Sequence, residues 1–152
     1  MKKFELTSEF VTFLGKKLFR IKALVSFGDV KEGELGGLVE KEENLDQSGN
    51  AWVYGDARVY GDARVYGNAW VSGDARVQNC RDYSATSCFG SENRTTTFFR
   101  TKDGGISVRC GCFYGTLAEF REKVKERHGG RRLAKEYLML ADLMEFRLSK
   151  DE

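Results

Sequence analysis

The sequence predicts a mainly β fold with an α-helical C-terminus, organised around a run of very short strands. Three observations carry the prediction. Five unbroken hexads run from Gly49 to Gln78: Gly-Asn-Ala-Trp-Val-Tyr, Gly-Asp-Ala-Arg-Val-Tyr twice, Gly-Asn-Ala-Trp-Val-Ser and Gly-Asp-Ala-Arg-Val-Gln. A hairpin signature follows, with Asp103-Gly104-Gly105 between two β-prone runs. A capping box, Thr116-Leu117-Ala118-Glu119, then opens a helical stretch.

Composition sets the outer bounds. A chain of 152 residues, 41% of them hydrophobic, can bury a core as one compact domain or two very small ones. Its 25 Lys and Arg nearly cancel its 23 Asp and Glu, so no global electrostatic attraction to nucleic acid or membrane exists. The absence of Pro excludes a polyproline ligand or a Pro-rich linker. No apolar stretch approaches the ~20 residues that span a bilayer, and Met1-Lys2-Lys3-Phe4-Glu5 lacks the apolar segment of a signal peptide. A soluble protein of the cytoplasm, without membrane contact, is expected. There Cys80, Cys88, Cys110 and Cys112 stay reduced. Their spacings, C-x7-C and C-x-C, match structural zinc sites poorly, so they are read as buried apolar residues; Cys110 and Cys112 would share one strand face.

Residues 1–32 read as an N-terminal β cap. Lys17-Leu18-Phe19-Arg20-Ile21-Lys22-Ala23-Leu24 alternates in part as a half-buried strand does, and Phe4, Phe10, Phe13 and Leu14 precede it. The hexads come next, over 33–80. Six residues at 100° each would scatter the Val column around a helix, whereas in a strand Ala57 and Val59 share one face and Arg58 points the other way. Each hexad thus offers an Ala-x-Val strand with a dry face and a corner at Gly followed by Asn or Asp. Leu35, Gly37, Val39 and Leu45 extend the register upstream. Residues 81–152 form a ββαα module: a polar loop over 81–95, the hairpin Thr96–Thr101 and Ile106–Cys110, a helix carrying Leu117, Phe120 and Val124 that stops at Gly129-Gly130, and a second helix from about Arg131 to Leu148 with Leu133, Tyr137, Leu140, Met144 and Leu148 on one stripe.

The hexad run resembles the hexapeptide repeat of left-handed parallel β-helices. The resemblance implies the handedness and a triangular coil of three hexads, with Trp52 stacked below Trp70, Arg58 below Arg76 and Val53 below Val71. So short a coil must be capped or must oligomerise, as a dimer or trimer. The flanks, Phe27-Gly28-Asp29-Val30, Gly36-Gly37-Leu38-Val39-Glu40, Gly111-Cys112-Phe113-Tyr114-Gly115-Thr116, Glu119-Phe120, Val124, His128-Gly129 and Glu136-Tyr137, resemble a family of small phage and prophage proteins with a hexapeptide solenoid between two such caps. That resemblance implies a phage context in a bacterial host and no particular activity.

Many hexapeptide-repeat proteins transfer acyl groups with a His as general base on or beside the solenoid. Here the sole His, His128, ends a helix outside the repeat, so a non-catalytic protein without cofactor is expected. The candidate site lies on the outward hexad columns instead. Trp52, Arg58, Arg64, Trp70 and Arg76, with Tyr54, Tyr60 and Tyr66 beside them, have the composition of binding hot spots. The alternative is a self-satisfied ladder in which Asp56, Asp62 and Asp74 neutralise the Arg residues. A second candidate is an anion site at Arg121, Lys125, Arg131 and Arg132, for nucleic acid or a nucleotide. Two functional alternatives stay open, a divergent acyltransferase and a nucleotide-sequestering protein. The leading expectation is an accessory protein that binds a host protein and inhibits a bacterial defence component, in the manner of an anti-CRISPR inhibitor.

Overall fold

The computed structural model describes residues 2–89, 94–111 and 113–149, without the side chains of Cys88, Phe89 and Arg94. The chain is mainly β with a C-terminal two-helix segment. Its centre is dictated by the two aliphatic columns. Ala51, Ala57, Ala63, Ala69 and Ala75, with Val53, Val59, Val65, Val71 and Val77, are all at most 2% exposed and belong to one core. Between those columns run four minimal strands, β4 (Trp52–Val53), β5 (Arg58–Val59), β6 (Trp70–Val71) and β7 (Arg76–Val77). At each corner a Gly takes a left-handed φ of 62 to 74°, which any side chain would strain.

Pairing follows the expected stacking. Trp52 lies opposite Trp70 and Val53 opposite Val71, in parallel, and Arg58 and Val59 pair likewise with Arg76 and Val77. One rung therefore spans three hexads. On the third side the rung is a single parallel bridge, Leu45 to Val65. Below them, β3 (Leu35–Val39) pairs in parallel with β5 through Leu38–Arg58 and Val39–Val59. Of the residues that extend the register upstream, Val39 and Leu45 are buried in the core, whereas Leu35 is 50% exposed.

The first turn is longer than the others by two residues, inserted between Leu45 and Val53, and Gln47 lies in that insertion. Its Oε1 accepts from the backbone N–H of Lys3 (2.7 Å) and Phe4 (3.2 Å), and its Nε2 donates to the Phe4 carbonyl (3.3 Å). The break in period pins the N-terminus. Lys3 Nζ donates to the Ala51 carbonyl at 2.8 Å and lies 4.7 Å from the Phe27 ring centre. Buried Asn44 plays a similar part within the turn, accepting from the Glu40 and Lys41 amides and donating to the Gly61 and Ala63 carbonyls.

The N-terminal cap is an antiparallel hairpin, β1 (Phe4–Phe13) and β2 (Lys16–Ala23), turned at Leu14-Gly15. It is not a separate layer. Because β2 also pairs antiparallel with β3, hairpin and repeat share one mixed sheet in the order β1-β2-β3-β5-β7. On its outer side Leu18, Leu38 and Tyr60 form a small second core beneath Val11 and Phe13.

The C-terminal part departs from the expected ββαα. Residues 81–95 were expected to loop, but β8 (Tyr83–Phe89) joins β9 (Arg94–Arg100), β10 (Ile106–Cys110) and β11 (Phe113–Thr116) in an antiparallel sheet ordered β11-β10-β9-β8. The core column explains the start of β8. Six residues beyond Val77 stands Tyr83, 6% exposed in the same core, with its hydroxyl donating to the Arg64 carbonyl at 2.7 Å. The helices α1 (Leu117–His128) and α2 (Arg132–Leu148) follow as expected, the first with both halves of its Thr116/Glu119 capping box and an end at Gly129.

The sheet joins two cores through adjacent residues on β9. Phe99 faces the repeat, whereas Phe98 faces Leu117, Phe120, Tyr137 and Met144 of the helices. Neither helix is long and apolar enough to cross a membrane. The cysteines correct one expectation: Cys80 is exposed, because it falls six residues beyond Asp74 in the outward corner column of Asn and Asp, and Cys110 is half-buried with its Sγ accepting from Thr96 Oγ1 at 3.2 Å. Cys112 and the side chain of Cys88 lie outside the described residues, and β10 ends before Cys112.

Candidate interaction surface

The outward hexad positions fall on three sides, and the flanking modules treat each side differently. On the first, Trp52 is fully buried, which corrects its expected place at a binding surface. Phe27 packs edge-on against it at 5.3 Å, and a Cβ on Gly36 would come within 2.7 Å of its ring. The segment after the N-terminal hairpin covers this position, so burial there is imposed from outside the hexad. Trp70, one rung up, is half-buried: Tyr54 lies 6.3 Å from it and the Arg109 guanidinium sits 4.7 Å above its ring.

On the second side the N-terminal hairpin reaches over the ladder. Phe13 presents its ring to Arg58 at 4.7 Å and to Arg76 at 5.6 Å, and meets Tyr60 edge-on at 5.3 Å. Tyr60 is 6% exposed, a second correction to the predicted surface set. Burial, and next the Arg58 charge, hold the Arg76 guanidinium below its ordinary pKa, while burial raises the Tyr60 phenol. The self-satisfied ladder is built in part: Arg76 donates to the backbone carbonyls of Asp56, Asp74 and Ala75, and the charges of Asp74 and Asp56 oppose the lowering of its pKa.

The third side is open. Arg64 is exposed, its guanidinium 3.7 Å from Asp46 of the preceding turn, and Tyr66 is 61% exposed. Tyr54, at the corner after Trp52, is 43% exposed. Arg64, Tyr66 and Tyr54 are therefore the exposed members of the expected set, Arg58, Trp70 and Arg76 are half-buried, and the backbone around them is fixed by ladder bonds.

The expected anion site does not assemble. Arg121 is bound by Asp142 (2.8 Å) and Glu145 (2.7 Å), whose hydrogen bonds and charges raise its pKa, and it ties α1 to α2. Lys125 approaches Glu122 at 4.0 Å and shares a shallow open depression with Glu119, Glu122 and Glu126. Arg131 and Arg132, at the start of α2, are exposed and have no ion pair among the described residues. His128 stacks on Tyr137 at 5.7 Å, at the end of α1.

With this geometry in hand, the comparisons fit the central repeat. Residues 57–73 match the family model described as the YdcK β-solenoid repeat. The match covers the second of the Gly-Asp-Ala-Arg-Val-Tyr hexads and parts of its neighbours. It concerns the β-solenoid repeat and not the flanking modules. No curated protein matches the chain.

Two features escaped sequence reasoning. Phe13 as a lid on the Arg ladder carries no local signal, since its partners lie far along the chain. The exposed apolar residues of α2, Met139, Leu143 and Phe146, do carry one, a second stripe at i, i+4 and i+7 beside the stripe that was read.

Proposed function

We propose that the protein is a non-catalytic binding module: hexads winding as a short left-handed parallel β-helix, capped at both ends, that engages a partner protein through its one uncovered side. The observation that carries this reading is the contrast between sides. The flanking modules cover Trp52 and Tyr60 and leave Arg64 and Tyr66 in solvent on a rigid backbone. Arg and Tyr held on such a support deliver contact area at little entropic cost, as binding hot spots do. The resemblance of the flanks to phage proteins supports a host protein as partner, and with it an accessory role such as masking a component of a bacterial defence system.

The test uses the full chain as bait in a bacterial lysate, with Arg64→Ala/Tyr66→Ala as comparison. A stoichiometric partner held by the wild type and lost by the double variant, at unchanged melting temperature, is expected. A partner retained by that variant, or micromolar binding of acetyl-CoA in calorimetry, would overturn the reading in favour of another surface or of acyl transfer.

A further inference from the structure

The helix α2 has two apolar faces, and the fold uses one. Ala134, Tyr137, Leu140, Ala141, Met144 and Leu148 are at most 7% exposed and pack into the helix–sheet core. Met139, Leu143 and Phe146 are 71%, 55% and 83% exposed, and their spacing brings all three to one side of the helix. Large apolar side chains gathered on one exposed stripe mark a surface that is covered in use. Phe146, the most exposed of the large apolar residues, is otherwise a pure cost in water.

From this we infer that the outer face of α2 is the seam of a two-fold dimer of the chain, with the two copies of α2 packed antiparallel. The occupant is indicated by the order of charges along the helix. Its start carries Arg131, Arg132 and Lys135, exposed and without an ion pair among the described residues. Its second half carries Asp142 and Glu145, whose side chains are 74% and 58% exposed although Arg121 contacts both. A two-fold seam must be complementary to itself. An antiparallel pair centred on Met139 meets this condition: it sets Lys135 beside the second copy's Asp142 and Arg132 against the ring of its Phe146, and it opposes the helix dipoles. Parallel packing would set like charges together. The seam is distinct from the open side of the repeat, so either reading can fail alone.

A single helix pair is smaller than the roughly 800 Å² per partner of stable complexes, so the dimer should dissociate on dilution in the micromolar range. Sedimentation of the full chain from about 1 to 300 μM is expected to show a monomer–dimer equilibrium. Phe146→Glu and Leu143→Glu, each at an exposed position, should give monomers with unchanged melting temperatures. Lys135→Glu should weaken the dimer about tenfold, and adding Asp142→Lys should restore it, since Glu145 still holds Arg121. A monomer throughout that range, a dimer indifferent to both Glu variants, or a charge swap without recovery would overturn the proposal.

Discussion

Trp52 and Trp70 hold the same place in their hexads and meet different surroundings. The hexad sends both outward; Phe27 and the Gly36 backbone then enclose one, whereas Tyr54 and Arg109 only flank the other. Trp52→Ala should therefore act as a core truncation and cost about 3–5 kcal/mol, read by chemical denaturation. Trp70→Ala should cost clearly less. Lys3 gives a residue-level prediction with a pH signature. Burial, opposed in part by Asp46, holds its ammonium down to about 8 from 10.5. Between those values the unfolded chain keeps a proton that the folded chain has released, so stability should rise with pH across that window. Below pH 8 the cost of the buried charge is present in full. Melting temperatures at several pH values for wild type and Lys3→Met should therefore diverge over this window, the wild type gaining. Tyr83, whose phenol burial pushes up, opposes the gain above pH 10 in both proteins and cancels from the comparison.

Among the elements, the four strands β4 to β7 show how little a strand needs. Each has two residues, an outward one and an inward Val, follows an inward Ala, and is held by backbone bonds between rungs, such as Trp52 N–H to the Ala69 carbonyl at 3.1 Å and Tyr54 N–H to the Val71 carbonyl at 2.9 Å. The inward positions were legible in the hexads, because a repeat states them five times; the rung was implied by the resemblance, and the third hexad carries the bridge at Val65 where a strand was expected. The same column leads to β8. Tyr83 continues the Val register, but the Ala column lapses at exposed Arg81, and the polar text after it concealed a strand that pairs with β9. The α2 helix was legible in its boundaries and inner stripe. Its outer stripe went unread, since one apolar face accounts for a helix that packs and nothing local asks for a second.

On the scale of the whole molecule, β9 is where the two cores meet. Phe98 and Phe99 are both fully buried, one in each core, and Arg100 pairs with Asp82 at 3.2 Å while its guanidinium also reaches the Ser149 carbonyl at 2.9 Å. Loss of either core strips one face of this strand. The chain should therefore unfold in a single calorimetric transition with equal van't Hoff and calorimetric enthalpies. Two resolved transitions would show the repeat and the helical module to be independent. The mixed sheet gives the same expectation at the other end, because β3 is bonded to the hairpin on one edge and to the repeat on the other.

The sequence by itself determined the strand period, the Gly corners, the hairpin and both helices, since each depends on residues close together or on a pattern repeated along the chain; the stacking of Trp52 on Trp70 and Arg58 on Arg76 was implied by the resemblance to β-helices, which supplies the rung of three hexads. Only the tertiary structure decided which outward residues stay outside. Exposure is set by what packs on a surface from elsewhere in the chain: Phe13 over the Arg ladder, Phe27 over Trp52 and Arg109 over Trp70. None of those encounters leaves a mark in the hexads themselves, and they bury Trp52, half-bury Arg58, Trp70 and Arg76, and leave Tyr54, Arg64 and Tyr66 exposed.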